Sequence, residues 1–266
     1  MSYSNKSNEE VISLLDDYEE TASPRENALL MKERVVHYAS MEEKLFFVYT
    51  TTSEFMRYVF DTKNELFESD AIDACVENIA AITSTYPNVF PSMLKFISAQ
   101  YTTHEHCTNV AFFAAIVGNK LKLREEKCTA LIYAALVHDI GKLKIEAQIL
   151  DKPTFLEEYE FENVKQHSNM GCEILLKNGI TSQSILYGVQ LHHERMDGSG
   201  YPDQIKGKKI PMIARIIGMC DVFDALTTQR TFRENYSSFE ALILMKEEME
   251  EQLDPKLIEI FILLHR

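Results

Sequence analysis

Apolar residues recur at three- and four-residue intervals along most of this chain, and the strict alternation that would mark half-buried strands is almost absent. The pattern predicts an all-α protein. Ser7-Asn-Glu-Glu10 ahead of Val11, Ile12, Leu14 and Leu15 reads as a capping box opening one helix. Ser23-Pro-Arg-Glu26 repeats the signal with proline at the first helical position. Met41 to Phe60 and Asp70 to Ile82 carry apolar residues at helical spacing, until Pro87 and Pro91 interrupt the pattern.

From Phe96 onward histidines enter the apolar faces. His106 falls on one predicted stripe with Val110, Phe113, Ala114 and Val117, whereas His104 lies about 200° away around the same helix. Cys128 to Val137 predicts a buried helix that runs into His138-Asp139 and then Gly141. Val164, His167, Gly171, Ile174 and Leu175 form another stripe, in which the glycine would let a neighbouring element approach closely. Ser184 to His193 predicts a helix ending in the doublet His192-His193, followed by a tight loop through Asp-Gly, Ser-Gly and Tyr-Pro steps. Further on, Ile213, Ile217, Asp221 and Asp224 share a face, so carboxylates stand in line with core residues, where they are costly without a partner. Ser237-Ser-Phe-Glu240 caps a later helix, and Pro255 opens the last apolar segment.

Composition narrows the classes. The chain has 266 residues, 45% hydrophobic and 26% charged, which suits a globular protein of one large or two modest domains. Residues 1–98 hold 8 Lys and Arg against 17 Asp and Glu, a denser negative charge than in the remainder. That step suggests a helical regulatory or dimerisation module over 1–98 and a second domain over 99–266. A net charge of −14 and a pI near 5.1 argue against duplex DNA as a partner. No apolar run reaches the roughly 18 residues of a membrane span, and the amino terminus lacks a signal-peptide profile, so the expected location is cytoplasmic. Five scattered cysteines without a C-x-x-C predict reduced thiols rather than a disulfide framework or a structural zinc site.

Five of the eight histidines (His106, His138, His167, His192 and His193) occupy buried-face or helix-end positions within one span, with Asp139 and Asp221 beside them. One such residue is ordinary; the set is hard to explain without metal. Nitrogen and oxygen donors without thiolate favour iron, manganese or catalytic zinc, and seven donors suit two metals sharing a carboxylate better than one.

These residues resemble the HD-GYP subgroup of the HD phosphohydrolases. The likeness runs through H-x-x-x-V-A at His106, H-D-I-G-K at His138 to Lys142, K-x-H-x-x-x-G at Lys165 to Gly171, and H-H-E-R-x-D-G-S-G-Y-P at His192 to Pro202. It continues through R-I-I-x-x-x-D-x-x-D-A-L-x-x-x-R-x-x-R at Arg215 to Arg233. Over residues 99–266 the resemblance implies a helical, metal-dependent phosphohydrolase domain that hydrolyses cyclic di-GMP to linear pGpG, with GMP as a further product; the smaller all-helical domain before it is expected from the apolar spacing of residues 1–98. One metal would take His106, His138, Asp139 and Asp221, the other Asp139, His167, His192 and His193; iron or manganese is expected, with zinc, nickel or cobalt as alternatives. Asp139 and Lys142 would serve catalysis, and Lys142, Tyr201, Asp224, Arg230 and Arg233 the substrate, with Asp224 meeting a guanine edge or standing as an exposed helix acid. Gly200-Tyr201-Pro202 implies a place near the site or in contacts with diguanylate cyclase (GGDEF) proteins, and a homodimer is a further expectation. Alternatives are 3′,3′-cyclic GMP-AMP as substrate, or a nucleotide-binding adaptor with little turnover. Some family members hold a third metal partly through a glutamate one turn before the first histidine; Thr102 stands there in this chain, and Glu105 is rotated about 100° from His106.

Overall fold

In the computed structural model, residues 22–62, 65–86, 88–96, 102–150, 152, 154–228 and 236–265 are described. Every regular element among them is a helix, as the apolar spacing predicts. The longer ones are α1 (Pro24–Leu29), α2 (Met41–Asp61), α3 (Ser69–Thr85), α4 (Thr103–Lys120), α5 (Glu125–Leu136), α6 (Glu158–Lys165), α7 (His167–Lys177), α8 (Gln183–Leu191), α9 (Met212–Thr227), α10 (Ser238–Glu247) and α11 (Pro255–Leu264). The expected capping box at Ser7–Glu10 lies outside the described residues. Those at Ser23–Glu26 and Ser237–Glu240 are formed, and Ser40–Glu43 closes a third at the start of α2 that the sequence reading passed over.

Helix α4 is the centre of the fold. Every residue from His106 to Gly118 is buried, so the expected single stripe is only one of its covered faces. Between the stripe positions stand Cys107, Ala111 and Ala115, whose small side chains let α2, α3, α5 and α9 close in around the helix. Two turns beyond His106, Phe113 meets Phe90, Phe223 of α9 and Phe261 of α11, with ring centroids in the cluster between 4.7 and 6.2 Å apart. Aromatic pairs at such spacing add about 0.5–1.5 kcal/mol each beyond area burial. The cluster therefore pins α9, which carries Asp221, against α4, which carries His106.

The expected boundary at 98/99 falls outside the described residues. The helices on either side share one hydrophobic core that runs from Ala28 to Phe261. Polar contacts cross as well: Tyr49 of α2 donates to Asn109 Oδ1 of α4 at 2.8 Å, and Asn178 accepts from the Phe67 amide at 3.0 Å while donating to the Glu65 carbonyl at 2.6 Å.

Candidate metal centre

Three of the histidines stand where a helix ends. The last carbonyls of a helix have no intrahelical partner, and a histidine placed just beyond can donate its Nδ1–H to one of them. His138 bonds Ala135 O at 2.7 Å, His167 bonds Val164 O at 2.6 Å and His192 bonds Val189 O at 2.7 Å, each reaching three residues back into α5, α6 or α8. The same contact caps the helix and fixes the ring, leaving Nε2 turned inward. His106 differs, because it lies in the first turn of α4, where carbonyls are taken up by the helix. Its Nδ1 meets Asp224 Oδ2 at 2.6 Å instead.

The inward nitrogens converge. His106 and His138 bring their Nε2 atoms to 3.2 Å, and His167 and His192 bring theirs to 3.3 Å. Asp139 lies between the pairs, with Oδ1 3.3 Å from His167 Nε2 and Oδ2 3.7 and 3.6 Å from the Nε2 atoms of His106 and His138. Asp221 Oδ1 is 3.2 Å from His106 Nε2, and its Oδ2 is 3.7 Å from His193 Nδ1. Two donor groups result, one of Asp139, His167, His192 and His193 and one of His106, His138 and Asp139, each with its ligand atoms within 4.8 Å of one another. Asp139 belongs to both.

Burial lowers the pKa of His138, His167, His192 and His193, holding these rings neutral; neighbouring imidazoles add to the effect at His192. Burial alone would raise the carboxyl pKa of Asp139, but the Lys142 ammonium 2.5 Å from Oδ2, followed by the surrounding histidines, brings it well below the usual range. A neutral ring whose Nδ1–H is committed to a carbonyl presents a lone pair at Nε2. His167 and His192 thus aim two lone pairs at one another, an arrangement that a cation between them relieves. Nitrogens ligating one ion at about 2.0–2.1 Å and ordinary coordination angles stand roughly 3.0–3.4 Å apart, which matches the spacing here. The residues fit bound metal, with Asp139 common to both donor groups.

Close approach of backbones makes this convergence possible. A Cβ on Gly141 would fall 1.8 Å from His167 O, and one on Gly218 of α9 would fall 2.3 Å from His192 O. Only glycine lets the turn after Asp139 lie on the start of α7, and α9 lie on the His192 turn. Gly171, expected from its stripe to permit close contact, faces Val189 Cγ1 at 2.9 Å from a Cβ position.

The remaining expected residues fall as follows. Tyr201 stacks on His193, with centroids 4.5 Å apart and planes at 28°, and its ring is 5.7 Å from Lys165 Nζ. Burial raises its phenol pKa. Asp224 departs from both expectations: it is fully buried, with Oδ2 on His106 and Oδ1 accepting from Asn109 Nδ2 at 2.8 Å, so it is neither an exposed acid nor turned toward a guanine. Arg230 and Arg233 lie outside the described residues. Sequence reading missed Asn109, although it stands three residues after His106 on the same side of the helix. It also assigned no role to Glu194, whose buried carboxylate accepts from the Asp203 and Ile205 amides at 2.7 and 2.9 Å and so shapes the Gly-Tyr-Pro loop.

Fold and site together define an α-helical domain in which histidines and aspartates from five helices and the turns between them converge around an adjacent His-Asp pair into two donor groups that could hold metal. A family model described as an HD domain matches residues 88–257, and the chain belongs to the HD-domain family. Its resemblance to the HD-GYP subgroup holds in its relatives. It is 30% identical over 230 residues to a cyclic di-GMP phosphodiesterase of Thermotoga maritima, covering 85% of this chain and 56% of that protein. It is 35% identical over 154 residues to 3′3′-cGAMP-specific phosphodiesterase 3 of Vibrio cholerae, covering 58% of this chain and 33% of that protein. The chain thus spans from a third to little more than half of the length of these relatives. An HDG"Y"P protein from Bdellovibrio bacteriovorus shares the fold, with a TM-score of 0.67 at 15% identity over 88% of this chain and 75% of that one. Among the described residues, no helix is long and apolar enough to cross a membrane.

Proposed function

We propose that this chain is a metal-dependent phosphodiesterase acting on a cyclic dinucleotide, cyclic di-GMP in the first reading, and opening it to linear pGpG. The observation that carries the proposal is the pair of donor groups joined through Asp139, an arrangement suited to two-metal hydrolysis of a phosphodiester. His106, His138, Asp139 and Asp221 would hold one ion, and Asp139, His167, His192 and His193 the other; iron or manganese suits the mixed nitrogen and oxygen donors. When bound, the ions supply a lowered water pKa and stabilisation of charge on the phosphate oxygens.

The chain's own residues do the rest. Asp139 orients the two donor groups toward each other. Lys142, whose side chain is 19% exposed, places a cation beside Asp139 at the edge of the site, where it neutralises phosphate charge. Tyr201, stacked on His193, supplies an aromatic surface beside the centre on which a base can rest. Arg230 and Arg233 are proposed as further phosphate contacts. The acidic chain otherwise needs such local cations to receive an anionic ligand.

A second substrate, 3′,3′-cyclic GMP-AMP, is favoured by the 35% identity to the Vibrio cholerae protein named for that activity. A cytoplasmic location, a homodimer and contact with diguanylate cyclase proteins are consistent with this reading. Turnover of a panel of cyclic dinucleotides by protein purified without oxygen, with metals quantified, tests it. Hydrolysis of cyclic di-GMP at a rate that follows metal content is the expected result; full metal content with no turnover of any cyclic dinucleotide refutes it.

A further inference from the structure

We propose that Tyr49, Asn109 and Asp224 form a positioning chain for His106, through which helix α2 of the first 98 residues is a working part of the metal centre. The inference rests on the metal-centre reading of the donor groups, not on the identity of the substrate.

The chain of contacts is continuous and buried. Tyr49 OH donates to Asn109 Oδ1 at 2.8 Å, Asn109 Nδ2 donates to Asp224 Oδ1 at 2.8 Å, and His106 Nδ1 stands 2.6 Å from Asp224 Oδ2. The four residues are between 0% and 6% exposed. Their polarity is fixed from the middle. A carboxylate only accepts, so Asn109 must turn its NH2 group to Asp224 and its carbonyl to Tyr49, and the phenol must donate. By the same rule the proton on His106 sits at Nδ1, and Nε2 faces the site. Each link thus selects the orientation of the next.

His106 needs this device because of where it stands. His138, His167 and His192 are steadied by free carbonyls at the ends of their own preceding helices, a support that comes with the local fold. His106, in the first turn of α4, instead pairs its Nδ1 with a side chain 118 residues away. The carboxylate that serves it would be costly in the core unless its other oxygen were satisfied too, and that task falls to Asn109. Asn109 in turn would leave its own carbonyl buried without Tyr49. Loss of the outermost hydroxyl is therefore felt at the ligand, since an unheld amide can rotate and offer its oxygen to Asp224.

Carboxylates behind ligating histidines typically change metal affinity 10–100-fold when replaced. The test uses the full chain stripped of metal with a chelator and titrated with Zn2+ against a competing indicator. Two ions per chain are expected for the parent protein. Asp224→Asn should weaken one of them about 10–100-fold, and Tyr49→Phe should weaken the same ion about 3–10-fold, the effect of one hydrogen bond, while the other ion binds as before. Val59→Ala, a core truncation on the same helix away from the network, should lower the melting temperature and leave both affinities unchanged. In the zinc-loaded protein, 15N spectra should show the His106 Nδ1–H signal sharp in the parent and in Val59→Ala, but broadened in Tyr49→Phe. Two ions bound with parental affinity in Tyr49→Phe overturn the inference, as does an equal weakening by Val59→Ala, which would mean that stability alone is at work. A parent protein that binds no Zn2+ overturns the metal-centre reading itself. If Asp224→Asn fails to fold, the isosteric Tyr49→Phe decides.

Discussion

His167 Nε2 and His192 Nε2 face each other across 3.3 Å with no proton to share, since each ring has committed its Nδ1–H to a carbonyl three residues back. Two lone pairs at that distance repel, and burial keeps both rings from protonating to relieve the contact. A shared cation turns the repulsion into two bonds. Metal should therefore stabilise this fold as well as equip it, because an ion that binds the native state alone adds stability in proportion to the logarithm of its concentration over its dissociation constant. Elemental analysis of the purified protein should find about two transition-metal ions per chain. His138→Ala combined with Asp139→Ala removes donors from both groups and should abolish most of that content. A folded double variant with full metal would defeat the assignment.

Acid should destabilise the metal-free protein in a window set by its histidines. The pKa values of His138, His167, His192 and His193 are lowered by burial, so between their folded values and about 6.5 the unfolded chain binds protons that the folded chain does not. Stability then rises with pH across that window, is complete above about 6.5, and falls as pH drops below it. Each ring contributes a slope of up to about 1.4 kcal/mol per pH unit. Denaturant melts of chelator-treated protein between pH 7.5 and 5 should show this loss. His167→Gln should make the curve shallower, and a flat profile would count against burial of neutral rings.

Lys142 stands 2.5 Å from Asp139 Oδ2 and retains a partly exposed side chain, placing its charge between the buried carboxylate and the solvent side of the site. It ligates no cation, so Lys142→Met should retain both ions while losing kcat/KM by about 10–100-fold, the worth of one hydrogen bond between charged groups. Steady-state kinetics alongside metal analysis checks this. Parallel loss of metal and activity would instead make Lys142 a support for Asp139.

Separate expression of residues 96–266 should give insoluble or unfolded protein. The denser negative charge of residues 1–98 suggested a separable module, but Leu45, Val48, Phe55, Met56 and Val59 of α2 and Ile72, Val76 and Ile79 of α3 are at most 2% exposed within the common core. Burying an aliphatic or aromatic side chain is worth about 1.5–3 kcal/mol. Even the share of these facing α4 and α5 rivals the roughly 5–15 kcal/mol that holds a domain together. A soluble fragment with a sharp thermal transition would restore the modular view.

The convergence of several candidate donors was legible in the sequence because His138, His167 and His192 sit at helix ends, and helix ends leave marks. His138 follows an apolar run and precedes a glycine, and His192-His193 precede a Gly-rich loop. The helical periodicity gave the elements to within a few residues for the same reason. Other features left weaker traces. Asn109 and Tyr49 look like ordinary polar residues on apolar helices, and their role appears only when α2 and α9 are packed on α4. A carboxylate on a core face demands a partner, and the resemblance offers Asp224 a guanine edge; the partner in the fold is a histidine 118 residues earlier. Charge balance reports exposed faces, whereas domain separation is set by the buried ones, so separate expression of residues 96–266, not the charge step, decides between a separable module and a structural cap over the catalytic helices.

The last expectation concerns product. Thr102 is the N-cap of α4: its hydroxyl accepts from the Glu105 amide at 3.4 Å and donates to Glu105 Oε2 at 2.7 Å. The position at which the resemblance to some family members would call for a third-metal glutamate is thus occupied by a neutral residue engaged in capping, and Glu105, in the first turn of the helix, is tied to it. Holding a third ion would require breaking that cap, which is worth about 0.5–2 kcal/mol, and turning a carboxylate around the helix. Two ions can still place one phosphodiester of a cyclic dinucleotide for attack. The linear product carries an additional terminal phosphate charge, and gripping it again for a second cleavage would call for the additional positive charge that a third ion would bring. pGpG should therefore accumulate as the main early product, with slow or no conversion to GMP. Thr102→Ala should lower the melting temperature through the lost cap while leaving two ions bound and the product unchanged. A chromatographic time course decides the matter: GMP rising in step with substrate loss, with no pGpG build-up, would show that a third ion or an equivalent cation is recruited after all.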